Sequence, residues 1–144
     1  MAKTLTKEKS CGAIVYRIDK EIEFLIIQQQ SGHYGFPKGH VENNETELET
    51  ALREIKEETN LDVEIDTNFR VVSTYSPCPH VIKDVVFFVA KPITHHIKLQ
   101  ENEVANALWC KADDALTLLT HEDNRRILKA ANEYIRKSLK LIIA

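Results

Sequence analysis

The stretch that decides the fold is "ALREIKEETN", residues 51–60. On an α-helix, positions i, i+3 and i+4 are neighbours, so Glu54, Glu57 and Glu58 project together while Ala51 and Ile55 mark a side to be buried. Crowded carboxylates repel each other by some tenths of a kcal/mol per pair. Glu57 and Glu58 also fall in the last turn, where the helix dipole disfavours acids, with Lys56 as the local offset. A solvated charged face is the usual fate of such a run. Here the clustered oxygens have another use, because hard carboxylate ligands suit Mg²⁺ or Mn²⁺, which bind through one or two carboxylates, water and substrate phosphates.

Working outward, Asn44 can cap the helix, with Glu47 three residues on as in a capping box and Glu45 and Glu47 in the first turn. Leu48, Ala51, Leu52 and Ile55 recur at helical spacing as its core side. Upstream, "SGHYGFPKGH" (31–40) concentrates Gly and Pro and reads as loop or a very short strand. Before it, "CGAIVYRI" (11–18) and "IEFLIIQQQ" (22–30) flank a charged turn and predict a hairpin. Downstream, "LDVEI" (61–65), "FRVVSTY" (69–75), "KDVVFFVAKPI" (83–93) and "ANALWC" (105–110) read as strands. A short helix is expected over Asp113–Leu119, and a long amphipathic one over Glu122–Leu139 from the spacing of Ile127, Leu128, Ala131, Ile135 and Leu139. This order predicts an α+β fold, one mixed sheet covered by helices.

The chain has 144 residues, which fits one domain over 1–144. Its net charge of -3 and isoelectric point near 6.1 do not advertise nucleic-acid or membrane-surface binding. No run approaches the ~20 apolar residues of a transmembrane helix and no signal peptide is evident, so a cytoplasmic protein is expected. Cys11, Cys78 and Cys110 are too widely spaced for a metal site or a disulfide framework and read as buried, reduced thiols. His40, His80, His95 and His96 form no ligand spacing. The stripe on the last helix reads as core, which favours a monomer.

Residues 39–61, "GHVENNETELETALREIKEETNL", carry Gly39, Glu45, Arg53, Glu54, Ile55, Glu57, Glu58 and Leu61 at the spacing G-x5-E-x7-R-E-U-x-E-E-x-G-U, where U is a bulky apolar residue. This resembles the Nudix box. The resemblance implies a Nudix-type α/β/α sandwich, its mixed, curved sheet flanked by the box helix and the long C-terminal helix. Asn60 stands where the pattern has Gly; Asn tolerates a left-handed backbone better than other residues, so some loss of stability is expected there.

By the same resemblance, Glu54, Glu57, Glu58 and the Gly39 carbonyl hold a divalent metal, Mg²⁺ or Mn²⁺. Glu45 and Arg53 pair to orient that cluster. Glu103, six residues before Trp109, matches a later acid that completes the site or acts as base, with Glu101 the alternative. Glu54, Glu57 and Glu103 are then the catalytic set, serving attack of an activated water on phosphorus of a small-molecule nucleotide. "FPKGHVE", "SCGAIVYR" and "EFLIIQQ" further resemble the asymmetrically cleaving diadenosine tetraphosphate hydrolases. This implies His33, Tyr34 and Tyr75 against adenine, and Lys38 and Lys83 against phosphates. Oxidised nucleoside triphosphates, ADP-ribose, triphosphorylated RNA ends and a non-catalytic nucleotide sensor are the alternatives.

Overall fold

The computed structural model describes residues 4–143; residues 1–3 and 144, the two ends of the expected domain, lie outside it. Strands β1 (Thr6–Asp19) and β2 (Glu21–Gln29) form the expected hairpin, turning at Lys20 with φ 66°. Two short strands follow, β3 (Tyr34–Gly35) and β4 (Lys38–His40), then helix α1 (Glu47–Thr59). Strands β5 (Val63–Tyr75), β6 (Val81–Pro92) and β7 (Val104–Lys111) lead into helices α2 (Ala112–Leu118) and α3 (Glu122–Ile143).

The sheet runs β3-β2-β1-β6-β5, with β4 added to β1 and β7 to β2. It is mixed because β1 and β6 are parallel, Thr6 opposite Val81 through Val15 opposite Ala90. That pairing extends β1 five residues ahead of its apolar run. The polar stretch Thr6–Ser10 carries no strand periodicity, and its partner supplies the order instead. The two segments expected at 61–65 and 69–75 join into the single strand β5, whose pairing with β6 shifts register between Asp66 and Val71.

Alternation along the central strands sends one set of side chains to each face. Ile14, Phe24, Phe87 and Val89 pack with Leu119, Ile127, Leu128, Ala131 and Ile135 of the α2–α3 layer. Ala13, Val15, Leu25, Ile27, Val86 and Phe88 pack with Ala51 and Ile55 of α1. Both faces are therefore covered, giving the α/β/α sandwich, and the stripe on α3 is core as expected. Among the described residues, no helix is long and apolar enough to cross a membrane.

Three local readings need correction. The cap of α1 is Thr46, not Asn44: its hydroxyl accepts from the Glu49 N–H at 3.1 Å, while the Glu49 carboxylate accepts from the Thr46 N–H at 3.0 Å. Asn43 and Asn44 instead take left-handed conformations, φ 47° and 63°, in the approach to the helix. Leu48 and Leu52 are 39% and 38% exposed, while Thr50, Ala51, Ile55, Glu58 and Thr59 are buried. The helix is rolled so that Glu58 reaches the sheet, and small side chains occupy the close approach. Cys78 is exposed in the β5–β6 connection, although Cys11 and Cys110 are buried.

Asn60 has φ 68°, the left-handed cap its position requires, and its amide donates to the His96 carbonyl at 3.1 Å. Glycine could not make that bond, which offsets the conformational cost expected of Asn.

Glu47 pins the start of α1 to the sheet. It accepts two hydrogen bonds of 2.8 Å from Arg70 of β5 and lies 2.5 Å from the Lys9 ammonium of β1. Arg70 first, then Lys9, hold its carboxyl at about 2. A depressed carboxyl stabilises the fold above its unfolded pKa, near 4.3, and that contribution disappears as pH falls through the folded value. Both cations are nearly half exposed, so screening reduces the effect to about 1 kcal/mol. Glu47→Gln is expected to be less stable by about that amount at pH 7 in urea unfolding, with the difference fading as the pH falls from 4 toward 2.

Candidate active site

The last turns of α1 lie against β4, and Glu58 makes the join. Its Oε1 accepts from the Lys38 backbone N–H at 2.8 Å and its Oε2 from the Gln29 amide at 3.4 Å. Only 5% of Glu58 is exposed. Burial pushes its carboxyl up to about 7, against the opposing pull of the two hydrogen bonds. Glu54 presses on the next residue of β4: a Cβ at Gly39 would overlap its carboxylate. Burial raises Glu54 as well, partly countered by Arg53.

Arg53 ties the rest together. Its Nε and Nη2 grip Glu45 at 2.7 and 2.9 Å, its Nη1 reaches Glu54 at 2.8 Å and Glu57 at 3.2 Å, and Nη2 also donates to the His40 carbonyl at 2.8 Å. Glu45 in turn accepts from the Glu42 N–H at 3.0 Å and the Thr50 hydroxyl at 3.1 Å. The local offset expected from Lys56 is not used here, since Lys56 donates to the Asn60 carbonyl and Asp62. Arg53 neutralises the crowding of Glu54 and Glu57, by reaching both from one guanidinium.

On the other side of β4 opens a cleft of about 410 Å³, lined by Lys38, Ser73, Thr74, Tyr75, Val85, Phe87, His121, Asp123 and Asn124. Lys38 is thus shared: its backbone serves the carboxylate side and its side chain the cleft. Burial, then the nearby Lys83, lowers the Lys38 amine. Lys83 lies directly across from Tyr75 in the β5–β6 pairing.

His33 reaches the cleft through His121: Nδ1 and Nε2 are 3.2 Å apart and the ring centroids 5.1 Å. Tyr34 has a different place, its half-buried ring packing on the α3-side core while its backbone N–H donates to Thr120 Oγ1 at 2.8 Å. Glu103 is exposed in the turn before β7, and its carbonyl accepts from the Gln30 N–H at 3.0 Å. That bond sets it one residue from Gln29, the residue that touches Glu58. Glu101 is exposed in the same turn. Missed in the sequence are His121, Asp123, Asn124, Ser73 and Thr74. An imidazole and an acid flanking the start of a helix were the available signal for the first two.

Among the described residues, no three carboxylate, imidazole or thiol side chains converge as a ready-made metal cage. The donor set nevertheless fits a hard divalent cation. Glu54 and Glu58 are both disfavoured as anions by burial, Gly39 presents backbone with no Cβ beside them, and their oxygens are the ligand type such ions take.

The chain matches the family described as NUDIX domain over residues 6–131. It is 30% identical to the asymmetrical bis(5'-nucleosyl)-tetraphosphatase of Sus scrofa over 140 residues, covering 88% of this chain and 95% of that protein. Its similarity to the Caenorhabditis elegans protein of the same name is 27% over 138 residues, covering 88% and 96%. A crystal structure of a C. elegans Ap4A hydrolase binary complex superposes with a TM-score of 0.83 at 28% identity, covering 90% of this chain and 98% of that one. The chain belongs to the Nudix family and is a Nudix hydrolase.

The buried Glu58 gives the metal-free protein a pH signature. Its folded pKa, about 7, lies above the unfolded value, so the folded chain keeps a proton that the unfolded chain releases, and stability declines as pH rises from about 4.3 through 7. With a chelator present, wild-type protein is expected to lose about 2–4 kcal/mol over that window. Glu58→Gln, which keeps the acceptor for Lys38 without the charge, should flatten the curve in denaturant titrations from pH 5 to 8.

Proposed function

We propose that this hydrolase cleaves diadenosine tetraphosphate asymmetrically, to ATP and AMP, using Mg²⁺ (or Mn²⁺). The observation that carries the reading is Lys38, whose backbone is fastened to the carboxylate helix while its amine lines a cleft shared with Tyr75 and His121. A nucleotide bound along that line sets its phosphates at the carboxylates and a base in the cleft. The similarity to proteins named asymmetrical tetraphosphatases, which covers most of both chains, supports the same substrate.

Glu54, Glu57 and Glu58, the Gly39 carbonyl and Glu103 are the residues proposed to hold the cation. When bound, a divalent cation supplies a more acidic water and neutralises phosphate oxygens. Glu57 is the longest contact of Arg53 among the helix carboxylates and would be the one freed for the cation, while Glu45 keeps the guanidinium in place. Glu54 and Glu58 are anchored to β4; of this set Glu57 and Glu103 are the exposed carboxylates, and one of the two takes the single proton that the attacking water gives up. One P–O bond forms to that oxygen as the bridging P–O bond breaks, the bridging oxygen keeping the electron pair and departing on the phosphate of the leaving nucleotide.

Lys38 and Lys83 are close enough to repel, and an anion between them relieves that, which suits the polyphosphate chain. Tyr75 and His121 take the faces of the adenine; stacking of this kind contributes about 1–3 kcal/mol per base in single-strand binders. His33 orients His121, and Tyr34 steadies the loop through its ring packing and its bond to Thr120. Because the apolar stripe of α3 is spent on the protein's own core, a monomer is part of the proposal, in the cytoplasm.

The test is a panel of diadenosine tetraphosphate, ADP-ribose, an oxidised guanosine triphosphate and triphosphorylated RNA, each incubated with Mg²⁺ and its products separated. ATP plus AMP from the first, faster than any other conversion, is the expected outcome. Two ADP, or faster cleavage of another member, overturns the assignment. Labelled water identifies the phosphorus attacked.

A further inference from the structure

Two imidazoles 88 residues apart in sequence meet beside the cleft. His33 Nδ1 and His121 Nε2 are 3.2 Å apart, their rings tilted by 44° with centres 5.1 Å apart. Both residues are exposed. The neighbouring residues are tied twice: the Tyr34 N–H donates to Thr120 Oγ1 at 2.8 Å, and the Thr120 N–H to the Tyr34 carbonyl at 3.2 Å. The backbone therefore brings the two rings together independently of any bond between them.

A neutral imidazole has one donor and one acceptor nitrogen, so a single hydrogen bond accounts for the contact. That bond is straightest when each ring points its nitrogen at the other. With each nitrogen about 1.15 Å from its ring centre, rings so aligned across this gap would have centres about 5.5 Å apart. Two imidazole nitrogens held about 2.0–2.1 Å from one tetrahedral Zn²⁺ lie about 3.3–3.4 Å from each other, and their ring centres about 5.2 Å apart. The observed 3.2 and 5.1 Å fit the second arrangement. An ion needs both facing nitrogens unprotonated, and a neutral ring allows this by carrying its proton on the other nitrogen.

We infer that His33 and His121 form a two-nitrogen site for a borderline transition-metal ion such as Zn²⁺, apart from the carboxylates of α1. The donors separate the two places: imidazole suits Zn²⁺, Cu²⁺ and Ni²⁺, whereas carboxylate and carbonyl oxygens suit Mg²⁺ and Mn²⁺. Two protein ligands leave the remaining positions to water, so the ion is exchangeable and not a closed structural centre. While it holds His121 Nε2, that nitrogen is closed to whatever occupies the cleft that this ring lines. The ion also clamps the loop before β3 to the connection ahead of α3. The inference stands whether or not the cleft holds a base.

The test is calorimetric titration of Zn²⁺ into the full chain, with Mg²⁺ in excess to occupy the proposed carboxylate site. All forms carry Cys78→Ser, which removes an exposed thiol as a competing ligand. His33→Gln and His121→Gln each keep a hydrogen-bonding group at the contact while removing a metal ligand. The expected result is micromolar binding that loses one equivalent of Zn²⁺ in either variant. At about ten times the dissociation constant, Zn²⁺ should raise the melting temperature of the parent by about 5 °C and that of either variant by clearly less. In nuclear magnetic resonance of the parent, the ring signals of these two of the six histidines should move on adding Zn²⁺. Equal stoichiometry in all three proteins, a loss in only one variant, or signal changes confined to other histidines overturns the inference. Should a variant fail to fold, the ring signals of the parent decide.

Discussion

A single carboxylate accepting a single backbone N–H, Glu58 on Lys38, sets where the box helix meets the sheet. Burying an acid is costly unless its oxygens are hydrogen-bonded, and these two are, by Lys38 and Gln29. The bond places Glu54 against Gly39, where no side chain could fit, and fixes the roll of α1. Exposure of Leu48 and Leu52 follows from that roll, so part of the helix's apolar surface is given up to the site. The same contact holds Lys38 at the cleft, which couples the carboxylate side to the cleft side through one residue.

Arg53 resolves the electrostatic difficulty raised by three acids on one helix. Its planar fork meets Glu45 bidentately and still has a nitrogen for Glu54 and Glu57, an arrangement that a lysine could not reproduce. The carboxylates are therefore tolerable in the protein alone. The guanidinium is the structural clamp of the cluster.

Much of this was legible from residue spacing. The carboxylate trio, the two-helix cover and the apolar stretches of the longer strands follow from helical or alternating periodicity with turn signals, and the Glu45–Arg53 pair from the resemblance to the Nudix box. The cap fell two residues further on, because three side chains near it could serve and only backbone geometry chooses among them. Rotation of α1 was not legible, since a contact 20 residues away in sequence decides it. The cleft was half legible: Tyr75, Lys38 and Lys83 sit on strands whose registry brings them together, whereas His121, Asp123 and Asn124 arrive from the far end of the chain. No local pattern announces that the start of α3 will close over β5.

The parallel pairing of β1 with β6 carries a cost in time. Thr6 meets Val81, 75 residues later, and every bond of that ladder spans a comparable stretch of chain. Loop closure over such distances is entropically unfavourable before any contact repays it, and parallel, non-local pairing is slow to form. A chain emerging from the ribosome has its first hairpin and its box helix long before it has β6. The central strand must wait, with one edge open, for a partner that follows it by 75 residues.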